Sequence, residues 1–224
     1  MKLPLHQSLI AALEAVFPAQ VGVACLPIYG TVPVEFSEEE ACVMGANAFR
    51  RQEFLAGRSC AREAMSKLGL PPLPILAGEK RGPVWPSGIV GSISHTREQC
   101  VAAVALEGER RSIGLDMEQH KRLKPNLWRL VLTEKESGWI KSIPEPERIS
   151  IAALIFSAKE AFYKYQFPLT QVWLGFQDVE IDISFDDSTF SLKMLKDTGP
   201  EFARGDCIKG RFSFYEDYVL TGIS

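Results

Sequence analysis

In the stretch Ile113-Gly114-Leu115-Asp116-Met117-Glu118, apolar residues alternate with glycine and acidic residues. This period of two predicts a half-buried β-strand. Because residues i and i+2 of a strand point to the same face, we expect the carboxylates of Asp116 and Glu118 about 6–7 Å apart. A hard divalent cation such as Mg²⁺, which prefers oxygen ligands, would relieve their mutual repulsion. For an isolated Asp-x-Glu pattern, the alternative is a solvated strand end.

The composition is that of a folded protein with no global affinity for polyanions. With 224 residues, 46% of them hydrophobic and 24% charged, the chain can form one large domain or two small ones. Its net charge of −3 excludes charge-driven binding of nucleic acid or anionic membranes by the surface as a whole. Any anion site must therefore be a local cluster of basic residues.

The cysteines and the N-terminus predict a soluble, cytoplasmic protein. The five cysteines are scattered and form no Cys-x-x-Cys pair, which favours reduced thiols over a disulfide framework or a zinc site. The first apolar stretch contains His6 and Glu14 and lacks a basic segment with a cleavage site, so no signal peptide is expected. No apolar run reaches the length of a membrane span.

The N-terminal part of the chain predicts two helical regions on either side of a strand. Residues 7–17 have apolar side chains at helical spacing, and residues 21–28 form a short apolar run typical of a strand. Ser37, with Glu40 three residues later, predicts the capping box of a helix that runs, with or without a break, to Leu68. Along that region Arg51, Arg58 and Arg62 share one helical face. They form either a solvated basic stripe or an anion site, because guanidinium groups bind phosphate bidentately.

Two polar segments lie between this region and the Asp116 strand. Residues 78–83 form an irregular basic loop that contains Lys80. Residues 91–96 read Gly-Ser-Ile-Ser-His-Thr, and such small residues let backbone N–H groups approach an anion. For His95, a turn-stabilising hydrogen bond and a ligand contact are equal alternatives.

The C-terminal part predicts helices followed by an antiparallel sheet. Thr133-Glu134-Lys135-Glu136 is typical of a capped helix start. Six apolar residues then follow helical spacing: Ile151, Leu154, Ile155, Ala158, Phe162 and Tyr165. On another face, Glu160 and Lys164 form either a surface ion pair or a third metal carboxylate and a phosphate-binding lysine. Pro168 is expected to end the helix, and residues 179–185, 190–195 and 211–220 predict strands.

Together these segments resemble the large, monomeric 4′-phosphopantetheinyl transferases that serve polyketide, siderophore and fatty-acid synthases. The matching segments, in chain order, are Arg50-Arg51-Gln52-Glu53-Phe54, Gly57-Arg58-Ser59-Cys60-Ala61-Arg62, Pro83-Val84-Trp85-Pro86, Gly91-Ser92-Ile93-Ser94-His95-Thr96, Ile113-Gly114-Leu115-Asp116-Met117-Glu118, Phe156-Ser157-Ala158-Lys159-Glu160-Ala161-Phe162-Tyr163-Lys164, Phe167-Pro168-Leu169-Thr170 and Trp173-Leu174-Gly175-Phe176. The resemblance covers residues from about 50 to 180. The order and spacing of the motifs make it specific.

The resemblance implies a fold and a division of the chain. It implies an α+β pseudo-dimer of two similar α+β halves related by a pseudo-twofold axis, with coenzyme A held between them. The corresponding halves are residues 1–110 and 111–224, and the active site is expected between them. It also implies a monomer.

The resemblance further implies the residues of the site. Asp116, Glu118 and Glu160 would hold Mg²⁺, with Mn²⁺ as the alternative ion, against the coenzyme A pyrophosphate. Lys164 and Lys159 would contact phosphate oxygens. The pocket for the 3′-phosphoadenosine end would comprise Arg50, Arg58, Lys80, Ser94 and His95. Some members use the residue at position 117 as a further metal ligand; because a thioether is a poor ligand for a hard cation, we expect a water to take the place of Met117.

The implied activity is transfer of 4′-phosphopantetheine from coenzyme A to a serine of an apo acyl carrier or peptidyl carrier protein, which leaves 3′,5′-bisphosphoadenosine. Glu160 is expected to act as base, Lys164 to stabilise phosphoryl charge and Asp116 to bind the metal. Alanine at Glu160 or Asp116 should then abolish turnover, whereas Arg58→Ala should weaken coenzyme A binding. The alternatives are a non-catalytic module that binds coenzyme A or a carrier, and a Mg²⁺-dependent nucleotide phosphohydrolase.

Overall fold

The computed structural model describes residues 8–29, 32–78, 80, 82–120 and 123–224. The protein has the expected α+β class and divides into two compact units. The N-terminal unit comprises Pro18–Ile113. The C-terminal unit comprises Gly114–Ser224 together with helix α1 (Leu9–Val16). Within the described residues, no helix is both long and apolar enough to cross a membrane.

The N-terminal unit packs one long helix on a three-stranded antiparallel sheet. Its elements are β1 (Gly22–Pro27), α2 (Ser37–Ala41), α3 (Ala48–Ser66), β2 (Leu76–Ala77), β3 (Pro83–Val84), β4 (Ile89–His95) and β5 (Gln99–Leu106). The strand order is β1-β5-β4, while β2 and β3 form a separate ribbon. The core joins buried alanines of α3 to Ala24 of β1 and Ala102 of β5, and these small side chains let the helix lie close to the sheet.

The C-terminal unit packs α1 and the longest helix against a five-stranded antiparallel sheet. Its elements after α1 are β6 (Gly114–Gln119), a 3₁₀ turn (Pro125–Leu127), α4 (Trp128–Val131), α5 (Glu134–Ser142), α6 (Glu145–Thr170), a second 3₁₀ turn (Phe176–Asp178), β7 (Val179–Ser184), β8 (Thr189–Met194), β9 (Cys207–Tyr215) and β10 (Tyr218–Ile223). The strand order is β6-β10-β9-β8-β7. Of the predicted apolar stripe on α6, all members but the half-buried Tyr165 are buried.

Helix α1 belongs to the C-terminal unit, whereas the sequence placed all of residues 1–110 in the N-terminal half. Leu13 and Val16 are buried, and the helix packs on β9 and β10. The guanidinium of Arg211 donates to the carbonyl of Ala15 at 3.0 Å. Gly222 leaves room for the ring of Phe17, since a Cβ there would lie 2.8 Å from it. Apolar residues of α1 thus complete the core of the sheet that follows much later in sequence. Residue 7 of the predicted helix lies outside the described residues.

Helix starts were predicted with mixed success. The Thr133 capping box is confirmed: Thr133 and Glu136 each accept the other's backbone N–H, at 3.2 and 2.7 Å. The capping box at Ser37 is wrong, because α2 begins at Ser37 itself and its hydroxyl donates to the side chain of Glu38. The chain then breaks and restarts as α3, where Asn47 caps the N–H of Arg50 at 2.9 Å.

Three other boundaries differ from the sequence analysis. Residues 91–95 form most of β4, so their backbone pairs with β5 and does not form a loop around an anion. The predicted strand 211–220 is two strands, β9 and β10, joined at Glu216, whose φ of 49° makes the turn. Pro168 lies inside the last turn of α6, which ends at Thr170 before the left-handed Gln171.

The two units share one arrangement of strand and helix. In each, the last strand returns to pair with the first, β5 with β1 and β10 with β6. In each, a glycine of the first strand lies against the long helix: a Cβ on Gly22 would be 2.3 Å from the carbonyl oxygen of Ala64, and a Cβ on Gly114 would be 2.0 Å from that of Ala161. This likeness agrees with the expectation of two similar halves. The axis that would relate them stays a prediction.

Candidate active site

The approach of α6 to β6 is set by Gly114. Residues 114, 116 and 118 lie on one face of β6, and the close contact of Gly114 with Ala161 and Tyr165 shows that this face is turned toward α6. Residues 160, 161, 164 and 165 share one face of the helix. With no side chain at position 114, that face comes close enough for its polar members to reach Asp116.

Asp116 is buried and paired with Lys164. Its relative exposure is 3%, which excludes the solvated strand end considered from the sequence. The ammonium of Lys164 donates to Oδ1 of Asp116 at 2.8 Å and to the carbonyl of Leu115 at 3.1 Å. The Lys164 side chain keeps 26% of its surface exposed, so it connects a buried carboxylate with solvent.

Glu160 lies in the electrostatic field of the same pair. Its pKa is raised above the usual value, first by burial and then by the negative charge of Asp116, and Lys164 acts in the opposite direction. The sequence analysis allowed a surface pair of Glu160 with Lys164, but the structure places the lysine on Asp116. Two partly or fully buried carboxylates and one cation therefore share this part of the unit.

The carboxylate oxygens near Lys164 are the kind of ligand that a hard divalent cation prefers. The charge of Asp116 raises the pKa of the Glu160 carboxylate, and Glu118, two residues along β6, adds a third carboxylate that is half-buried. Within the part of the chain that the structure describes, no three His, Cys, Asp or Glu side chains are already grouped as a metal site. The cation now placed against Asp116 is the ammonium of Lys164.

Lys159 is not placed where the sequence analysis put it. It was expected on a phosphate, but its side chain is 1% exposed. Its ammonium donates to Glu136 Oε2 at 2.7 Å, to the carbonyl of Phe176 at 2.8 Å and to that of Val131 at 2.9 Å. Burial lowers the pKa of Lys159, and the charge of Glu136 offsets part of that effect.

In the N-terminal unit, Glu53 joins two of the residues expected to bind the adenosine end. Glu53 Oε2 accepts from Arg50 at 3.4 Å, and Glu53 Oε1 lies 3.3 Å from Nδ1 of His95. Arg50 and His95 are both partly exposed. The structure thus brings these two predicted residues together. Ser94, the neighbour of His95 on β4, is buried, and Lys80 is exposed in the turn between β2 and β3.

The other arginines of α3 are committed to contacts within the protein. Arg58 is buried, donates to the carbonyls of Ile75 and Leu76 at 2.9 and 3.2 Å, and covers the ring of Phe54. Burial lowers its pKa to about 10. The structure therefore does not support Arg58 as an exposed phosphate ligand. It anchors the chain just before the Lys80 turn.

The basic stripe suggested by Arg51, Arg58 and Arg62 is neutralised by α2 and the segment before it. Arg62 is buried and pairs bidentately with Glu35 at 2.9 and 3.0 Å and with Glu39 at 2.5 Å. Arg51 pairs with Glu40. Neither interpretation of the stripe holds for the buried Arg62, whereas Arg51, whose side chain is 40% exposed, is a solvated arginine paired with an acid.

Comparison with known proteins identifies the family. The family model of the 4′-phosphopantetheinyl transferase N-terminal domain matches residues 38–105, and that of the 4′-phosphopantetheinyl transferase superfamily matches residues 112–221. The chain is 34% identical to the 4′-phosphopantetheinyl transferase Npt of Nocardia iowensis, over 95% of this chain and 99% of that protein. The chain belongs to the 4′-phosphopantetheinyl transferase superfamily. It is an enzyme of that class.

Two further relatives of this transferase show how the similarity is distributed. It is 36% identical to the 4′-phosphopantetheinyl transferase PptT of Mycobacterium tuberculosis, over 94% of this chain and 96% of that protein. It is also 36% identical to the enterobactin synthase component D of Salmonella typhi, over 51% of this chain and 47% of that protein. Similarity over nearly the whole chain is thus found with proteins named 4′-phosphopantetheinyl transferase, whereas the similarity to enterobactin synthase component D covers about half of the chain.

Sequence reasoning about this transferase missed three glutamates. Glu53 was named only within a matching segment, Glu39 was not named, and Glu136 was named only in a capped helix start. In the structure Glu39 and Glu136 are both buried. Each carboxylate accepts a hydrogen bond from a backbone N–H and another from a cationic side chain. One regularity could have revealed two of the three: Glu39 and Arg62, like Glu136 and Lys159, are 23 residues apart.

We expect Gly114→Ala to destabilise the transferase by about 3 kcal/mol, since the new Cβ would overlap the backbone of α6. The helix must then move away from β6, so transfer activity should fall as well. The control is Gly138→Ala in α5, where nothing lies within 4 Å of the new Cβ. It should stabilise the protein by about 1 kcal/mol through helix propensity. Urea unfolding measures both, and equal stability of the two variants would contradict the packing argument.

Proposed function

We propose that this protein transfers the 4′-phosphopantetheine group of coenzyme A to a serine hydroxyl of an apo acyl carrier or peptidyl carrier protein. A new bond forms between the serine oxygen and the phosphorus that carries the pantetheine, and the pyrophosphate P–O bond breaks. The second product is 3′,5′-bisphosphoadenosine. Full-length similarity to proteins named 4′-phosphopantetheinyl transferase supports the reaction class. The observation that carries the mechanism is the Asp116, Glu160 and Lys164 cluster.

Glu160 is our candidate base. Its raised pKa makes the carboxylate a stronger proton acceptor than an exposed glutamate, as a base acting on a serine hydroxyl requires. Lys164 keeps 26% of its side chain exposed, so its ammonium is accessible to donate to a phosphate oxygen as charge develops there. Phosphoryl transfer needs positioning and charge neutralisation more than covalent catalysis, and these two roles supply part of both.

The same carboxylates would hold Mg²⁺, or Mn²⁺, through Asp116, Glu118 and Glu160. When bound, the cation supplies neutralisation of the pyrophosphate charge. The support is the chemistry of the donors: three carboxylates, one of which, Asp116, raises the pKa of another, Glu160. Lys164 compensates part of this charge in the protein alone.

Residues of both units are assigned to coenzyme A. Arg50 and His95, held together by Glu53, are proposed for the 3′-phosphoadenosine end, with Ser94 and Lys80 as further candidates. A cavity of about 260 Å³ in the C-terminal unit is lined by Glu160 and by aromatic residues, among them Tyr163, Trp173 and Phe176. Its apolar wall next to Glu160 suits the pantetheine arm, which is attached to the transferred phosphate.

The experiment that tests the function is intact-protein mass spectrometry of apo carriers of both kinds, incubated with this protein, coenzyme A and Mg²⁺. We expect a mass gain of one phosphopantetheine on the serine, lost when a chelator is added and restored by excess Mg²⁺. Binding of coenzyme A without any mass gain would support a non-catalytic module. Release of coenzyme A phosphates without a modified carrier would support a phosphohydrolase.

We expect Arg50→Ala to raise the KM for coenzyme A by about tenfold and to change kcat little. Arg50 is exposed, and its proposed partner is the 3′-phosphoadenosine end of coenzyme A and not the reacting phosphorus. A hydrogen bond to a charged group contributes about 1.5–3 kcal/mol. Initial rates over a range of coenzyme A concentrations measure both constants. Arg204→Ala, an exposed arginine of the C-terminal unit, is the control. A fall in kcat with KM retained would place Arg50 elsewhere in the mechanism.

A further inference from the structure

Lys159 directly precedes Glu160, yet its ammonium is fully used inside the protein. An ammonium has three N–H donors. Those of Lys159 reach Glu136, Phe176 and Val131 at 2.7–2.9 Å, and the side chain is 1% exposed. No donor is left for a phosphate without breaking one of these bonds.

The partners of Lys159 fix the surroundings of Glu160. Val131 ends α4 and Glu136 lies in the first turn of α5, while Phe176 belongs to the segment after α6 that lines the cavity beside Glu160. Glu136 in turn accepts the backbone N–H of Ile181 on β7 at 2.7 Å. One buried cation thus connects α6 at the position before Glu160 with a wall of the neighbouring cavity.

The N-terminal unit contains the same device. Glu39 stands third in the first turn of α2, as Glu136 does in α5. It is buried, accepts the N–H of Ile75 at 2.8 Å and pairs with the buried cation of Arg62 on the long helix α3. The separation of glutamate and cation is 23 residues in both units.

The match extends to the residues around the cation. At the end of α3 and its C-cap Lys67, the segment Arg62-Glu63-Ala64-Met65-Ser66-Lys67 corresponds to Lys159-Glu160-Ala161-Phe162-Tyr163-Lys164 in α6. Ala64 and Ala161 each lie against the first-strand glycine. Two residues beyond that glycine, β1 has Ala24 where β6 has Asp116. The N-terminal unit thus keeps the buried pair without the acid of the site. The buried pair of glutamate and cation therefore anchors the long helix in each unit, and phosphate binding is not needed to explain the buried cation.

We propose that Lys159 is a positioning residue: through Glu136 and Phe176 it sets the place of Glu160 and of the cavity wall, and it does not bind coenzyme A. This inference rests on the proposed function, in which Glu160 takes the serine proton. Displacement of a reacting group by about 1 Å costs up to a hundredfold in rate. Loss of either partner of the pair should then lower kcat, and any change in coenzyme A affinity should be the same whichever partner is lost.

The test compares Glu136→Gln and Lys159→Met with Glu39→Gln, the same change in the N-terminal unit. We expect kcat per folded molecule to fall by about a hundredfold in the first two, and any change in the Kd for coenzyme A by calorimetry, which the displaced cavity wall would cause, to be the same in both. Glu39→Gln should lower the Tm comparably but keep kcat. Near-UV circular dichroism gives the folded fraction. If a single variant does not fold, the double variant Lys159→Met with Glu136→Gln replaces it, because it leaves no buried charge unpaired.

Amide hydrogen exchange supplies a readout that needs no activity. Residues 173–176 should exchange faster in Glu136→Gln and Lys159→Met and at the wild-type rate in Glu39→Gln. If wild-type protein transfers nothing to any carrier, the proposed function fails, while the exchange pattern still decides whether Lys159 holds this wall. A weaker affinity for coenzyme A in Lys159→Met alone would make the lysine a direct ligand. Unchanged kcat and exchange in both variants would overturn the proposal.

Discussion

Glu160→Gln is expected to lower the rate of phosphopantetheine transfer at saturating coenzyme A by about 10²–10⁴-fold, the usual contribution of a positioned base. Glutamine keeps the size and hydrogen-bonding shape of the side chain but cannot accept a proton at neutral pH. It is also a weaker ligand for a hard cation than a carboxylate. The fold should be retained, because Glu160 is half-buried and its burial penalises the charged form that the substitution removes.

The measurement is the single-turnover rate of carrier modification, followed by intact-protein mass spectrometry. Glu145→Gln, an exposed acid in the first turn of the same helix, is the matched control and should transfer at the wild-type rate. A decrease in Glu160→Gln that disappears at higher coenzyme A concentration would mean that Glu160 only binds substrate. Wild-type transfer by this variant would remove Glu160 from the mechanism altogether.

The centre of the site could be predicted from local patterns. The alternation around Asp116 and the helical stripe before Lys164 each depend on neighbours in sequence, and the structure gives a strand and a helix at both places. That the two meet was implied by the family resemblance. The physical reason is Gly114, whose missing side chain lets α6 approach β6. The sequence shows that glycine but not the helix that lies against it.

The assignments that failed depended on distant partners. Arg58 and Lys159 look like phosphate ligands in a motif, because motifs show residue type and not burial. In the structure, backbone carbonyls at Ile75 and Leu76 take the donors of Arg58, and Glu136 and two carbonyls take those of Lys159. All of these acceptors but the Glu136 carboxylate are backbone groups of other segments, which leave no mark in composition or periodicity. Only the recurring interval of 23 residues between a first-turn glutamate and a helix cation hints at one of them.

Lys164→Met is the second change for which we expect a large effect, a loss of about 10²–10³-fold in kcat, comparable with removal of one donor to a developing oxyanion. In the protein alone Lys164 pairs with Asp116, so its loss removes a positive charge that offsets the effect of that buried carboxylate on Glu160. In the reaction the same ammonium is proposed to stabilise charge on the phosphoryl oxygens. Both effects depend on the positive charge at this position.

Lys164→Arg separates that charge from the shape of the side chain. Arginine keeps the cation, and we expect it to restore part of kcat, although its planar fork cannot reproduce the bonds of an ammonium to Asp116 and the Leu115 carbonyl. Lys209→Met, an exposed lysine of β9, serves as control for a change of net charge. Equal kcat for Lys164→Met and the wild type, at saturating coenzyme A and carrier, would show that the Asp116 pair is only structural. Partial recovery with arginine but none with methionine would tie the rate to a positive charge at this point of α6.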